Sequence, residues 1–252
     1  MLITLPLGVQ ANAPSIHVPH VDGAFLIDGS DQEDTWTEAS HLRDFRVYRP
    51  RPGLEAHFKT AGKIAHDGEA LYLWMQVEIP REKLQLQREA RDSFPDGDSI
   101  QIQLDPTNRN QRAYVLAVGA GGHLYDATTY PDGNRDRSWD INFEAKVMVE
   151  DARWTMEARI PFSGLRFDPD QARWSLQVLV QSWKHQQTLS WSPIDLNARN
   201  TLTQMGEIQG LKDLSTGRVL EFLPSLTAAW SQEAETQNLG CAFDADVGVF
   251  TL

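Results

Sequence analysis

Cysteine is almost missing from this sequence: Cys241 is the single one in 252 residues. One thiol makes no intrachain disulfide and no cysteine-based zinc site. A lone cysteine suits the cytosol, and it also suits many Gram-negative envelope proteins. Positive charge is scarce too. Lys and Arg number 23 against 35 Asp and Glu, a formal net charge of -12. Binding a phosphate backbone needs a basic surface, so nucleic acid is not the expected partner. A neutral ligand or a divalent cation suits this balance better. No run approaches the roughly 20 apolar residues of a membrane-spanning helix. Helical periodicity is confined to Arg81–Arg88 (REKLQLQR), enough for a turn or two.

Catalytic signatures are lacking as well. The histidines His17, His20, His41, His57, His66, His123 and His185 show no H-E-x-x-H spacing. Ser163 has no G-x-S-x-G elbow, and Gly119–Gly122 is a turn rather than a phosphate cradle. Glycosidase carboxylates must face each other across a bond. Asp96 and Asp98 are too close in the chain to do so, and nothing singles out Glu78 with Asp98. The expectation is a chain without catalytic activity of its own.

What is present is alternation. Ile100, Ile102 and Leu104 alternate with Gln101 and Gln103, one face for a core and one for water. Tyr114–Val118, Phe143–Val149, Trp154–Ile160 and Leu176–Val180 repeat the pattern. Glu150–Arg153 turns one pair into a hairpin, and Asp67-Gly68 does the same between Phe58–Ala65 and Leu71–Val77. Many short strands with regular turns predict an all-β fold: a β-sandwich of two antiparallel sheets, jelly-roll or immunoglobulin-like. MLITLPLGVQANA is short and apolar, and it ends on a small-x-small pattern. It lacks a basic n-region, so two readings stay open for residues 1–13, the remainder of an export signal or no signal; 14–218 is read as the sandwich, and 219–252 as a separate segment too short for a domain.

Three motifs in order carry a family resemblance. They are Ile27-Asp28-Gly29-Ser30-Asp31 followed by Trp36, then Asp98–Asp105 (DSIQIQLD), then Trp154–Phe162 (WTMEARIPF). Together they resemble family 9 carbohydrate-binding modules over roughly Val21 to Leu211. Arg91-Asp92, Asp96–Asp98, Ser138–Asp140 and Ile160–Phe167 resemble a subgroup in which the module precedes an outer-membrane-like β-barrel. That resemblance implies that 219–252 leads into a C-terminal barrel domain. It also implies an exported protein of the periplasm or outer membrane of a Gram-negative bacterium. In sugar-binding members two tryptophans grip the ring and a strand glutamate bonds it. The corresponding places hold Phe94-Pro95, the loop Asp195–Gln204 without an aromatic, and Gln101; Arg91 is the best-kept contact.

The resemblance implies non-catalytic carbohydrate binding, with a polysaccharide or oligosaccharide as partner and a role accessory to polysaccharide breakdown. Trp139, Trp183 and Trp191 are the candidate stacking surfaces, since aromatic faces suit sugar C–H groups. Arg91 and Asp98, with Glu78 and Asp140, are the candidate hydrogen-bonding groups. Two alternatives stay open: a structural, plug or assembly domain for the barrel, with no sugar site, and an accessory domain of a glycoside hydrolase. Residues Arg91–Asp105 lack the EF-hand spacing. Calcium held by assembled loops stays open, and no other cofactor is expected.

Overall fold

The computed structural model describes residues 13–86 and 93–215. Arg91 and the segment 219–252 therefore lie outside the described residues, as does the N-terminal stretch through residue 12. The strands are β1 (Ser15–His17), β2 (Ser40–Leu42), β3 (Arg46–Arg49), β4 (Thr60–His66), β5 (Ala70–Val77), β6 (Ser99–Asp105) and β7 (Ala113–Gly119). They continue with β8 (Leu124–Thr129), β9 (Arg135–Asp136), β10 (Glu144–Val149), β11 (Trp154–Pro161), β12 (Arg173–Ser182), β13 (Gln187–Ser190) and β14 (Gly206–Gln209). Arg81–Lys83 forms a single 3₁₀ turn where the sequence suggested a short helix.

Two sheets pack as a sandwich. The larger runs β1-β14-β12-β6-β7-β8-β9, with β13 joining β12 to β3; the smaller runs β10-β11-β5-β4-β2. All pairs are antiparallel except the edge pair β1–β14, which is parallel. Registry explains the core. Val178, Ile102 and Leu116 lie in one row across the large sheet, and Leu176, Leu104 and Tyr114 in the next. Met156 and Met75 pair on the small sheet, as do Ala158 and Leu73. All of these are buried in one cluster between the sheets. A one-residue slip would turn every such row outward, so the apolar alternation sets the register.

The hairpin predicted at Asp67-Gly68 is present. Gly68 has φ 88°, a conformation that glycine adopts without strain. Asp67 Oδ1 accepts the amides of Glu69 and Ala70, and Tyr72 donates its hydroxyl to Oδ2.

The outer face of the small sheet is not left wet. Trp74 and Tyr72 project there, and Phe25, Ile27 and Trp36 cover them. The Ile27–Asp31 motif is the clasp of this cover. Glu157 on β11 is fully buried, and its Oε2 accepts the amides of Asp28 at 2.9 Å and Gly29 at 3.0 Å. Its Oε1 accepts the Trp36 indole N–H at 3.2 Å. The Gly29 carbonyl in turn accepts from Thr155 Oγ1 and Trp74 Nε1. Asp31 pairs with Lys63 Nζ at 2.8 Å. Two of the three resemblance motifs are therefore halves of one buried lock.

Candidate functional site

The third motif builds a different feature. Along β6, Ile100, Ile102 and Leu104 point into the sandwich, while Ser99, Gln101 and Gln103 face out. On β12 the outward residues are Gln177, Leu179 and Gln181. Registry sets Gln103 opposite Gln177, Gln101 opposite Leu179 and Ser99 opposite Gln181. Thr188 of β13 extends the last row to Arg49 of β3. The result is a flat polar floor on the outer face of the large sheet.

Loops raise walls on this floor. Phe94 and Arg135 stand on one side; Ile194, Leu196, Thr201 and Leu202 stand on the other, with Tyr48 at the β3 end. They enclose a groove of about 330 Å³, within the roughly 300–1,000 Å³ range of small-ligand sites. Asn200 shapes its wall by capping the 3₁₀ turn Thr201–Gln204 through the Leu202 amide. Gln177 is locked to the Ser192 backbone by two hydrogen bonds of 2.9 Å, and Gln181 Nε2 reaches the Gly97 carbonyl. Arg135 donates to Gln101 Oε1 at 3.0 Å, with its guanidinium 4.3 Å from the centre of the Phe94 ring. Phe94 meets Tyr125 edge-on. Burial raises the Tyr48 phenol pKa, and Arg49 and Arg135 pull it back down.

The structure scatters the residues that the sequence nominated. Asp98 is 1% exposed and does not line the groove. Its Oδ2 accepts the Gln85 amide at 2.7 Å, and the Ser182 hydroxyl and Trp183 amide adjoin it. Burial pushes its carboxyl above the usual range, against the pull of these donors. It braces the start of β6. Trp191 is 5% exposed and lies outside the groove, bordering a separate hollow with His41 and Arg46. Trp139 packs on Tyr114 with ring centres 4.5 Å apart. Tyr114 faces the sandwich interior, so Trp139 lies on the side of the sheet away from the groove. Glu78 follows the small sheet, and Asp140 is exposed on the loop after Trp139; neither lines the groove. Trp183 is 48% exposed on the β12–β13 turn, outside the groove but open to solvent.

Arg49, Tyr48, Gln103, Arg135, Gln177, Gln181 and Thr188 went unnominated. Their signal was the polar half of the strand alternation, which was read only as a wet face. Gln101 is 6% exposed, so that face is largely covered. Among the described residues no group of three or more His, Cys, Asp or Glu is arranged to hold a metal ion.

The two sheets and the groove on the larger one define a β-sandwich of the carbohydrate-binding-module fold. More narrowly, the chain belongs to the carbohydrate family 9 binding domain-like family, whose model matches residues 27–211. It is similar to a family 9 carbohydrate-binding module from Caldicellulosiruptor kristjanssonii solved with cellotriose. That match has 21% identity and a TM-score of 0.55, and covers 83% of this chain and 100% of the other. The glucose complex of a family 9 module from that organism matches at 20% identity and TM-score 0.51, over 77% and 94% of the two chains. A Bacteroides uniformis protein proposed to bind carbohydrate matches at 14% identity and TM-score 0.62, over 79% and 99%. Among curated proteins none matches the chain.

Proposed function

We propose that this chain is a non-catalytic carbohydrate-binding module whose ligand lies in the groove on the large sheet. The observation that carries this is the floor itself. Side-chain amides and hydroxyls held at fixed spacing by β6, β12 and β13 are flanked by Phe94, Tyr48 and Leu196. Sugars need such a mixture, with apolar contact for C–H faces and convergent donors and acceptors for hydroxyls. Family membership and the saccharides bound by similar modules support the same reading. The groove buries little ligand, so dissociation constants of about micromolar to millimolar are expected.

The motif resemblance extends the proposal to setting. The module would work in an exported protein of the periplasm or outer membrane. There it would stand beside a C-terminal β-barrel and assist polysaccharide breakdown. Arg91, matched by that resemblance, stays a proposed sugar contact in this reading, though it lies outside the described residues.

The test is affinity electrophoresis of the full chain through gels containing soluble glucan, xylan, mannan or pectin. Retardation by one polymer, relieved by Phe94→Ala or Gln103→Ala, supports the groove. Relief by Trp183→Ala and not by Phe94→Ala would move the site to the β12–β13 turn. Free migration through every gel would refute carbohydrate binding.

A further inference from the structure

The groove is one-sided in its polarity. The described residues that line it include Arg49 and Arg135 and no aspartate or glutamate. This runs against a chain whose net charge is -12. Among the described residues neither guanidinium has a carboxylate within 4.0 Å. Neutral groups hold both instead: Arg135 by Gln101 and the Phe94 ring, and Arg49 over Tyr48 at 5.5 Å. Both act electrostatically on the Tyr48 phenol, so the two cations converge on one part of the groove.

Gln101 supplies a second, independent observation. Arg135 can only donate, so the amide oxygen of Gln101 must face it and the amide nitrogen must face away. That nitrogen is buried and has no hydrogen-bond partner among the described residues. A buried unpaired donor is costly, and beside a cleft it is available to an acceptor. Gln101 Nε2 and two guanidiniums with no carboxylate partner among the described residues thus form a set of donors. A neutral sugar hydroxyl both donates and accepts, whereas a carboxylate only accepts and fits the planar guanidinium fork.

On the reading that the groove binds carbohydrate, we infer that it selects acidic saccharides, chains containing uronic acid. The sugar carboxylate is taken by Arg135 and Gln101 Nε2, and Arg49 adds attraction from the β3 side. Elsewhere the acidic surface repels polyanions, so retention by an acidic polymer reports the groove rather than general charge.

The experiment is affinity electrophoresis of the full chain in polygalacturonate, in the same polymer fully methyl-esterified, in hydroxyethylcellulose and in dextran sulfate. Titration calorimetry with trigalacturonate gives the constants. Polygalacturonate should retard the protein, and esterification should abolish the effect. Arg135→Gln should weaken trigalacturonate binding about tenfold to a hundredfold, the range of one charge-assisted hydrogen bond. Gln101→Glu should do the same, because it consumes Arg135 in an ion pair and removes the Nε2 donor. Thermal melts of both variants should match the wild type, which separates lost binding from lost fold. Retardation by hydroxyethylcellulose and not by polygalacturonate would overturn the inference and leave the carbohydrate reading intact. Equal retardation by dextran sulfate and polygalacturonate would overturn the preference for carboxylate. Binding to no polymer would overturn both readings.

Discussion

Replacing Glu157 by glutamine should destabilise the domain by a predictable amount. The carboxylate serves three N–H donors: two backbone amides on Oε2 and the Trp36 indole on Oε1. Glutamine keeps one oxygen. Placed at the Oε2 position it still accepts Asp28 and Gly29, but its NH₂ then faces the Trp36 N–H. One buried donor is left unpaired, at a cost of about 1–3 kcal/mol. For a domain of this size that lowers Tm by about 2–12 °C. Leucine has similar volume and serves none of the three donors, so Glu157→Leu should cost about 3–9 kcal/mol. That is a large share of a typical 5–15 kcal/mol total.

Burial pushes the Glu157 carboxyl up to about 7, against the pull of its donors. A folded-state value above the unfolded one means that the folded state holds the extra proton between about 4.5 and 7. Stability is then lost as pH rises through that window. Glutamine does not titrate, so the gap between wild type and Glu157→Gln should narrow from pH 5 to pH 8. Denaturant melts of the three proteins at both pH values measure it. Equal losses for glutamine and leucine would refute the reasoning, because volume and not hydrogen bonding would then hold the loop. Adding Trp36→Phe is a further check: the glutamine penalty should shrink when its unpaired donor is removed.

Three further outcomes follow from the geometry. Asp98→Ala should cost at least about 1–3 kcal/mol, since it strips a partner from the Gln85 amide and from the Ser182 and Trp183 donors beside it, with saccharide affinity unchanged; a large loss of affinity in calorimetry would place Asp98 in the binding site. Gly62→Ala should cost about 1–3 kcal/mol by overpacking, because a Cβ there would sit 2.8 Å from the Trp74 carbonyl oxygen and against the Met75 sulfur; an unchanged Tm would show that β4 and β5 can part. Burial holds His66 down to about 4, so the unfolded chain takes up a proton that the folded one refuses, and stability falls as pH drops from about 6.5 towards 4; a flat Tm over that range in the Glu157→Gln background would contradict it.

The fold was legible because the core is built from strict two-residue alternation. The runs Ile100–Leu104 and Leu176–Val180 showed which side faces inward, and registry followed from that. The site was less legible for a physical reason. Tryptophan and aspartate attract notice as chemistry, yet here most are spent on architecture. Trp36 and Asp28 belong to the Glu157 lock, Asp98 braces a turn, and Trp139 lids Tyr114. The groove is made instead from glutamines, whose role depends on which strands stand side by side. β6 and β12 are neighbours although some 70 residues separate them, and β9 brings Arg135 over Phe94 from a distant loop. Neither adjacency has a local signature. Only the resemblance, which set Gln101 and Phe94 at sugar-contacting positions, pointed to this face.

The parallel edge pair gives the sandwich a mechanical polarity. β1 and β14 run the same way, paired from Ser15 with Glu207 to His17 with Gln209. The backbone therefore enters at one end of this ladder and leaves at the other. Tension drawn along the chain loads the rungs in shear, so they must fail together. An antiparallel edge pulled the same way would peel one rung at a time. The flanking bonds, Glu207 N to the Pro14 carbonyl and Val18 N to the Gln209 carbonyl, lengthen the clamp at both ends. A sheet closed this way resists tension drawn between the segments that enter and leave it.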